Sequence, residues 1–435
     1  MFSLLIMAPR LAHRPAVQVL RAVLLVALAV PGGAVFAADT SLTLAEAQRL
    51  AVARSPMLAA KEHAALAARD MSVAARQLPD PVLKIGVDNL PVNRQERFSL
   101  TQDSMTQRRL GLMQELTRAD KRRLRGERFE READKSLAEK AAATSALERE
   151  TALAWLDLYY TQAAAALVTQ QIDQARREIQ AAESAYRAGG GDQADVFSSR
   201  SALSGLEDKA VDIERRIGNA KIALARWVGN AADFPLGSRP ATDAIRLDEA
   251  LLATQLAQHP EIAVLARQED IAVTEAQLAR ADKKADWSVE LALQQRGPAY
   301  SDMVSIGLSV PLQWDRTNRQ DRELSAKLAQ AEQAGAERED VLRERIAQVR
   351  TMLNDWHTNR KRQIRYQQEL VPLANARTTA LTAAYRGGKA TLAAVLGARR
   401  SEIDVRLQAL ELEQGTDRLW AQLNFLFPHN GGSGR

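Results

Sequence analysis

"WSVELALQQRGPAYSDMVSIGLSVPLQW" runs from Trp287 to Trp314, and it alternates in two stretches. In the first, Trp287, Val289, Leu291 and Leu293 fall on one face and Ser288, Glu290, Ala292 and Gln294 on the other. In the second, Val304, Ile306, Leu308, Val310, Leu312 and Trp314 oppose Ser305, Gly307, Ser309, Pro311 and Gln313. A period of two is the signature of a strand with one apolar face. The pattern predicts strands over about 287–295 and 304–314, each roughly 9–11 residues long, the length of a tilted membrane-spanning strand. Alternation alone also fits a small sheet packed on a helix. Tryptophan at both outer ends favours a membrane edge, where such rings concentrate.

A similar pair lies about 200 residues earlier. "PVLKIGVDN" (81–89) sets Leu83, Ile85 and Val87 against Lys84, Gly86 and Asp88. "TQRRLGLMQEL" (106–116) gathers Leu110, Leu112 and Leu116 on one face. Each pair leads into a long helical run. From Glu127 to Ala188 there is neither Gly nor Pro, a span of roughly 62 residues or 90 Å of helix. Thr317 to Tyr385 reads the same way, interrupted only by Gly335 and Pro372, and Pro372 predicts a kink or local break. The apolar positions are mostly Ala with spaced Leu, which lets neighbouring helices approach closely.

Both long runs end on one phrase, "AYRAGGGDQADV" (185–196) and "AYRGGKATLAAV" (384–395). Gly189, Gly190 and Gly191, and in the second copy Gly387 and Gly388, suit the positive φ of a helix C-terminus. Asp192 and Thr391 then suit caps for a returning helix. Each phrase is the tip of a helical hairpin. The openings match too: "LTLAEAQRLAVARSP" (42–56) against "IRLDEALLATQLAQHP" (245–260). The chain therefore divides into a first repeat over 38–230, a Gly- and Pro-rich linker over 231–244, a second repeat over 245–427 and a disordered tail over 428–435.

Arg10, Arg14 and Arg21 precede the short apolar run "AVLLVALAV" (22–30), and Val35 and Ala37 precede a cleavage point after Ala37. Residues 1–37 read as a secretory signal peptide. They hold three arginines and no acid, so the formal charge falls from +5 to +2 on removal, and the basic balance is no argument for nucleic acid. There is no cysteine, which excludes disulfides, thiolate metal sites and a lipidated N-terminal Cys. His63, His259, His357 and His429 are isolated, and Met105 and Met113 lie eight apart along one expected strand, so no metal site or cofactor is expected. No enzymatic motif appears: "AYRAGGGD" follows a helix and lacks the Lys-Ser/Thr pair of a phosphate loop.

Four strands cannot close a barrel, and unpaired edges in lipid are costly. Two chains would make eight strands, whose interior side chains fill; three would make twelve with an open lumen. The fold class expected is mainly α with a small β part. Long antiparallel hairpins form an α-barrel, and four strands per chain contribute to a trimeric 12-stranded transmembrane β-barrel.

The tandem "LTLAEA"/"IRLDEA" openings, the paired Tyr-x-x-Gly tips and "LSVPLQWDR" (308–316) together resemble the trimeric outer-membrane efflux channels typified by TolC. "LPDPVLKIGVDNLPV" (78–92) and "MTQRRLGLMQELTRADKRRLR" (105–125) look like the heavy-metal, CzcC/CusC-like branch, although Thr117 stands where that branch carries Pro. The resemblance implies a homotrimer in the outer membrane with a long periplasmic extension. It would be a passive duct partnered by outer-membrane lipid, a periplasmic adaptor (membrane fusion) protein and an inner-membrane resistance-nodulation-division pump. It makes Tyr186, Gly189, Gly190, Tyr385, Gly387 and Gly388 parts of a periplasmic mouth and adaptor docking surface. It also makes Asp192 and Asp195 candidate aperture acids, while the acidic gate positions of the second copy are the neutral Ala394 and Gly397. Export of drugs or small organic molecules is the alternative cargo; a periplasmic coiled-coil adaptor or scaffold is the alternative of a different class.

Overall fold

A computed structural model describes residues 41–189 and 192–428. The expected signal peptide, Gly190, Gly191 and the tail from 429 onward lie outside the described residues. The element order is stated twice. Helices α1 (Leu44–Arg54) and α2 (Pro56–Ala75) lead to strands β1 (Val82–Asp88) and β2 (Gln107–Leu116), then to helices α3 (Ala119–Arg187) and α4 (Gln193–Val228). The second pass runs α5 (Leu252–Ala257), α6 (Pro260–Asp282), β3 (Trp287–Gln295), β4 (Met303–Ser309), α7 (Gln320–Arg365), α8 (Val371–Arg386) and α9 (Leu392–Asn424).

Local chemistry sets the boundaries. Thr43 caps α1 by accepting from the Glu46 amide at 3.2 Å, and Pro56 and Pro260 open α2 and α6, where a missing N–H costs nothing. Helix α3 runs 69 residues, roughly 100 Å. The break expected at Pro372 is a π-helical turn over Tyr366–Leu370, in which the Val371 amide reaches back to the Tyr366 carbonyl. The widened turn absorbs the carbonyl that Pro372 cannot donate to. β4 ends at Ser309, short of the expected 314: Pro311 has no amide for a ladder, and the alternation continues beyond it without pairing. β2 starts at Gln107, one residue inside the expected 106–116, so Met113 lies on the strand and Met105 does not.

The sheet is antiparallel throughout, in the order β1-β2-β3-β4, with both edges free within the chain. Above it α2 and α6 flank the first half of α3, and α7 lies beyond α6. Ion pairs fix this register: Lys61–Glu139 at 2.7 Å, Lys140–Glu62 at 2.8 Å, and Glu275 of α6 between Arg128 of α3 at 2.9 Å and Lys327 of α7 at 2.8 Å. The second half of α3 carries α4 on one side and α9 on the other, and α9 carries α7 and α8.

The main core is a belt halfway along α3. Trp155, Leu156 and Leu158 are buried there against Leu42, Leu224, Leu256, Leu353, Trp356, Trp420 and Leu423. Four of the six tryptophans belong to the belt, Trp227 at its margin; the other two, Trp287 and Trp314, flank the sheet. The 231–244 segment is held within the belt. Leu42 pairs with Leu236, Trp155 donates to the Leu42 carbonyl at 2.9 Å, and Trp420 donates to that of Ala244 at 2.9 Å. Arg239 grips Asp417 of α9 through two bonds of 2.7 Å, and Tyr160 of α3 donates to the same carboxylate at 2.5 Å. Hydrogen bonding to Asp417 holds the Arg239 pKa up, and burial pushes the Tyr160 hydroxyl and the Glu413 carboxyl up beside it.

Candidate functional site: the strand wall and the hairpin tips

The two faces of the sheet differ in kind. Cross-strand neighbours Leu83, Leu112, Leu291 and Ile306 form one row on the first face, and Ile85, Leu110, Leu293 and Val304 form the next. All eight are exposed, Ile85 by 76% and Ile306 by 78%. Soluble monomers rarely leave so continuous an aliphatic face to water. The opposite face is polar. Lys84 pairs with Glu290 at 2.8 Å, Arg109 reaches both Glu290 and Asp88, and Gln294 donates to Ser305 at 3.0 Å. Small residues keep that face low: a Cβ on Gly111 would meet Ala292 Cβ and Glu290 Oε1 at 3.3 Å.

The two phrases close their hairpins as expected, with differences. Gly189 takes φ +73° and Gly388 φ +70°, and the Gly388 and Lys389 amides bond back to the carbonyls of Tyr385 and Ala384. Gly387, at φ −87°, sits in ordinary right-handed space, so the turn does not require it to be glycine. Asp192 spends its carboxylate on the Ala194 amide at 3.1 Å as the cap of α4, and Thr391 caps α9 at 3.3 Å. Asp195 stands half-exposed in the first turn of α4.

Identical letters land in different surroundings. Tyr385 is half-buried against the small cluster of Ala182, Val196, Leu392 and Val395, which joins the two tips. Tyr186 projects from α3, 46% exposed. Sequence reading passed over the link behind the tips: Arg399 of α9 reaches Gln174 at 3.0 Å and pairs with Glu178, both on α3. Burial pushes the Glu178 carboxyl up, against the pull of Arg399. A cleft of about 510 Å³ lies between α4 and α9, with Ser201, Ala202 and Gly205 on one wall and Ala393 and Gly397 on the other.

Among the described residues no group of three or more His, Cys, Asp or Glu is placed to hold a metal, and no helix is long and apolar enough to cross a membrane. His63 is exposed, His357 bonds Glu249 at 2.7 Å, and His259 is buried as the cap of α6.

Among solved structures, the channel OprN superposes with a TM-score of 0.73 at 18% identity, over 89% of this chain and 90% of that one. CusC, whose crystal structures follow folding and transmembrane channel formation, gives 0.75 at 14% identity over 89% and 92%. The Campylobacter jejuni outer-membrane channel CmeC gives 0.72 at 13% identity over 88% and 85%. The chain has the fold of these outer-membrane channels. No protein-family model matches it, and no curated protein matches it in sequence.

Proposed function

We propose that three copies of this chain form a passive conduit, a β-barrel in the outer membrane continued by an α-helical tunnel in the periplasm. The observation that carries this reading is the strand wall, apolar on one face, polar on the other and open at both edges. β1 and β4 run in opposite directions, so β4 of one copy pairs antiparallel with β1 of the next and the ring closes without a free edge. The helical flanks support the same closure. Exposed Met57 and Val73 on α2 and Val211 and Ile222 on α4 line one flank; Leu328 on α7 and Leu373 on α8 line the other. Three copies give twelve strands and an open lumen, whereas eight would be filled. A scaffold that never enters a membrane has no use for such a face.

The duct is the exit component of a tripartite efflux system. It performs no chemistry, requires no cofactor and binds no nucleic acid. A resistance-nodulation-division pump supplies the energy, and the hairpin tips dock a periplasmic adaptor through Tyr186, Gly189, Gly190, Tyr385, Gly387 and Gly388. Heavy-metal cations are the cargo we favour, on the likeness of residues 78–92 and 105–125 to that branch; drugs and small organics are the alternative.

Outer-membrane fractionation with heat-modifiable trimers and ion conductance in a planar bilayer tests the conduit. A soluble monomer that conducts nothing defeats it. Tryptophan at Gly189 and Gly388 should abolish efflux at unchanged trimer yield, and retained efflux would remove the tips from docking. Sensitivity of a deletion strain to copper, zinc and cadmium salts against a panel of organic drugs separates the cargo readings.

A further inference from the structure

Two adjacent arginines on β2 have opposite fates. Arg109 points to the polar face and is paired with Glu290 and Asp88. Arg108 points to the apolar face, exposed, with no carboxylate within 4 Å among the described residues. An arginine on a lipid-facing strand is costly at the bilayer midplane and nearly free of cost near the interface. Arg108 therefore belongs at interface depth, and its guanidinium needs an acceptor there.

The surroundings supply one half of a ligand site. Three successive cross-strand rows line a groove of about 670 Å³ at the loop ends of the strands. Ile85, Leu110, Leu293 and Val304 make one wall, and Val87, Arg108, Gln295 and, at its far end, Asp302 make the other. The backbone of the intervening row, Gly86 to Met303, forms the floor. Walls exposed by 76% at Ile85, 62% at Val304 and 55% at Leu293 suit acyl chains. The acid of the same row, Asp302, lies two strands from Arg108, about 10 Å away at the usual strand spacing. The loop that joins β1 and β2 carries two more exposed cations without ion-pair partners among the described residues, Arg94 and Arg97, the latter over the Phe98 ring. Arg296 is occupied, since it donates to the carbonyls of Ser301 and Ser104.

We propose that this groove binds a phosphorylated, multiply acylated glycolipid of the lipid A type, its chains along the aliphatic wall and a phosphate on Arg108. This rests on the outer-membrane reading above. The helices leave the sheet from its other end, so with the helices in the periplasm the groove faces the outer leaflet. It lies across the middle of one chain's sheet, centred on β2 and β3, and needs no partner copy to complete it.

The test uses the full-length purified protein, delipidated in detergent and titrated with lipid A, followed by native mass spectrometry. Wild type should retain lipid A, up to three per trimer. Arg108→Leu extends the aliphatic face of β2 and so should insert and trimerise normally, with lipid A retention reduced at least five-fold; Arg108→Lys should keep most of it. Lipid A stripped of its phosphates should bind wild type as weakly as intact lipid A binds Arg108→Leu. Phosphatidylglycerol should bind both proteins alike. Equal lipid A retention by wild type and Arg108→Leu in conducting trimers, indifference to phosphate removal, or equal competition by phosphatidylglycerol overturns the site and leaves the conduit standing. A wild-type protein that neither trimerises nor conducts overturns the conduit, and the site with it.

Discussion

The belt at mid-length and the tips at the far end are built from the same long helices, yet they are opposite kinds of structure. Among the described residues the belt buries eighteen aromatic, leucine or valine side chains where the tips bury three, and it adds a charged clamp at Asp417, which is fully buried. The tips join through Ala182, Val196, Leu392 and Val395, two left-handed glycines and half-exposed polar turns. Opening free energies follow local burial. The belt is therefore a fixed fulcrum, and the hairpin ends can separate without disturbing it. In the conduit proposed above, the first section would hold the wall together and the second would change aperture.

Breaking the clamp should have the largest effect. Asp417→Ala strips Arg239 and Tyr160 of their shared acceptor inside the belt, and losing one member of a buried pair costs about 3–5 kcal/mol. Denaturant unfolding should show that loss, and hydrogen exchange should rise along the middle of α3 and α9. Arg239→Met and Asp417→Leu together with Tyr160→Phe and Glu413→Gln remove every member of the clamp and should recover most of the stability. If the single change leaves belt exchange untouched, the contrast with the tips is gone.

The belt should also carry the acid sensitivity. His259 is 2% exposed, its Nδ1 accepts from the Glu261 amide, and burial pushes its pKa down to about 4. Glu261 favours the proton, while Arg345 and Arg149 oppose it. The unfolded chain takes up that proton near pH 6.5, before the folded one does. The contribution of neutral His259 is thus present above about pH 6.5 and lost as pH falls toward 4, a change of about 3 kcal/mol at 1.36 kcal/mol per pH unit. His259→Asn keeps the cap without a titrating ring, so its stability should be flatter across that window. A wild-type profile no steeper than that of the variant would remove His259 as the cause.

Much of this was legible in the letters. Alternation found all four strands, because side chains on a pleated ladder must sort by face, and Gly-rich phrases found both helix reversals. The end of β4 was misjudged, since the apolar alternation persists past Pro311 while the ladder cannot. The clamp was invisible for a different reason: Arg239 and Asp417 are 178 residues apart, and neither sits in a pattern that names its partner. The unlike fates of Tyr186 and Tyr385 were equally hidden. The two phrases share Ala-Tyr-Arg-x-Gly, and nothing in those letters tells the two rings apart.

That pair gives a sharper measure of the tips. Tyr385→Ala removes a ring from the contact between hairpins and should cost about 1–2 kcal/mol, felt as faster exchange in the last turns of α8 and the first of α9. Tyr186→Ala should change neither stability nor exchange by more than about 0.5 kcal/mol, since surface changes away from such contacts rarely do. Equal effects at the two positions would mean that the tips are packed alike.

The smallest contrast lies within a single turn. Gly388→Ala places a Cβ on a residue at φ +70°, with open space around it, so its cost of about 1–2 kcal/mol is backbone strain alone. Gly387→Ala meets only the Ala383 and Ala384 carbonyls at 3.6 Å, ordinary contact, at a φ that alanine adopts freely. It should be neutral or slightly stabilising, because alanine narrows the unfolded ensemble. Melting both variants beside wild type decides whether the second tip depends on one glycine or two. Two equal losses would show that something other than backbone handedness holds that turn.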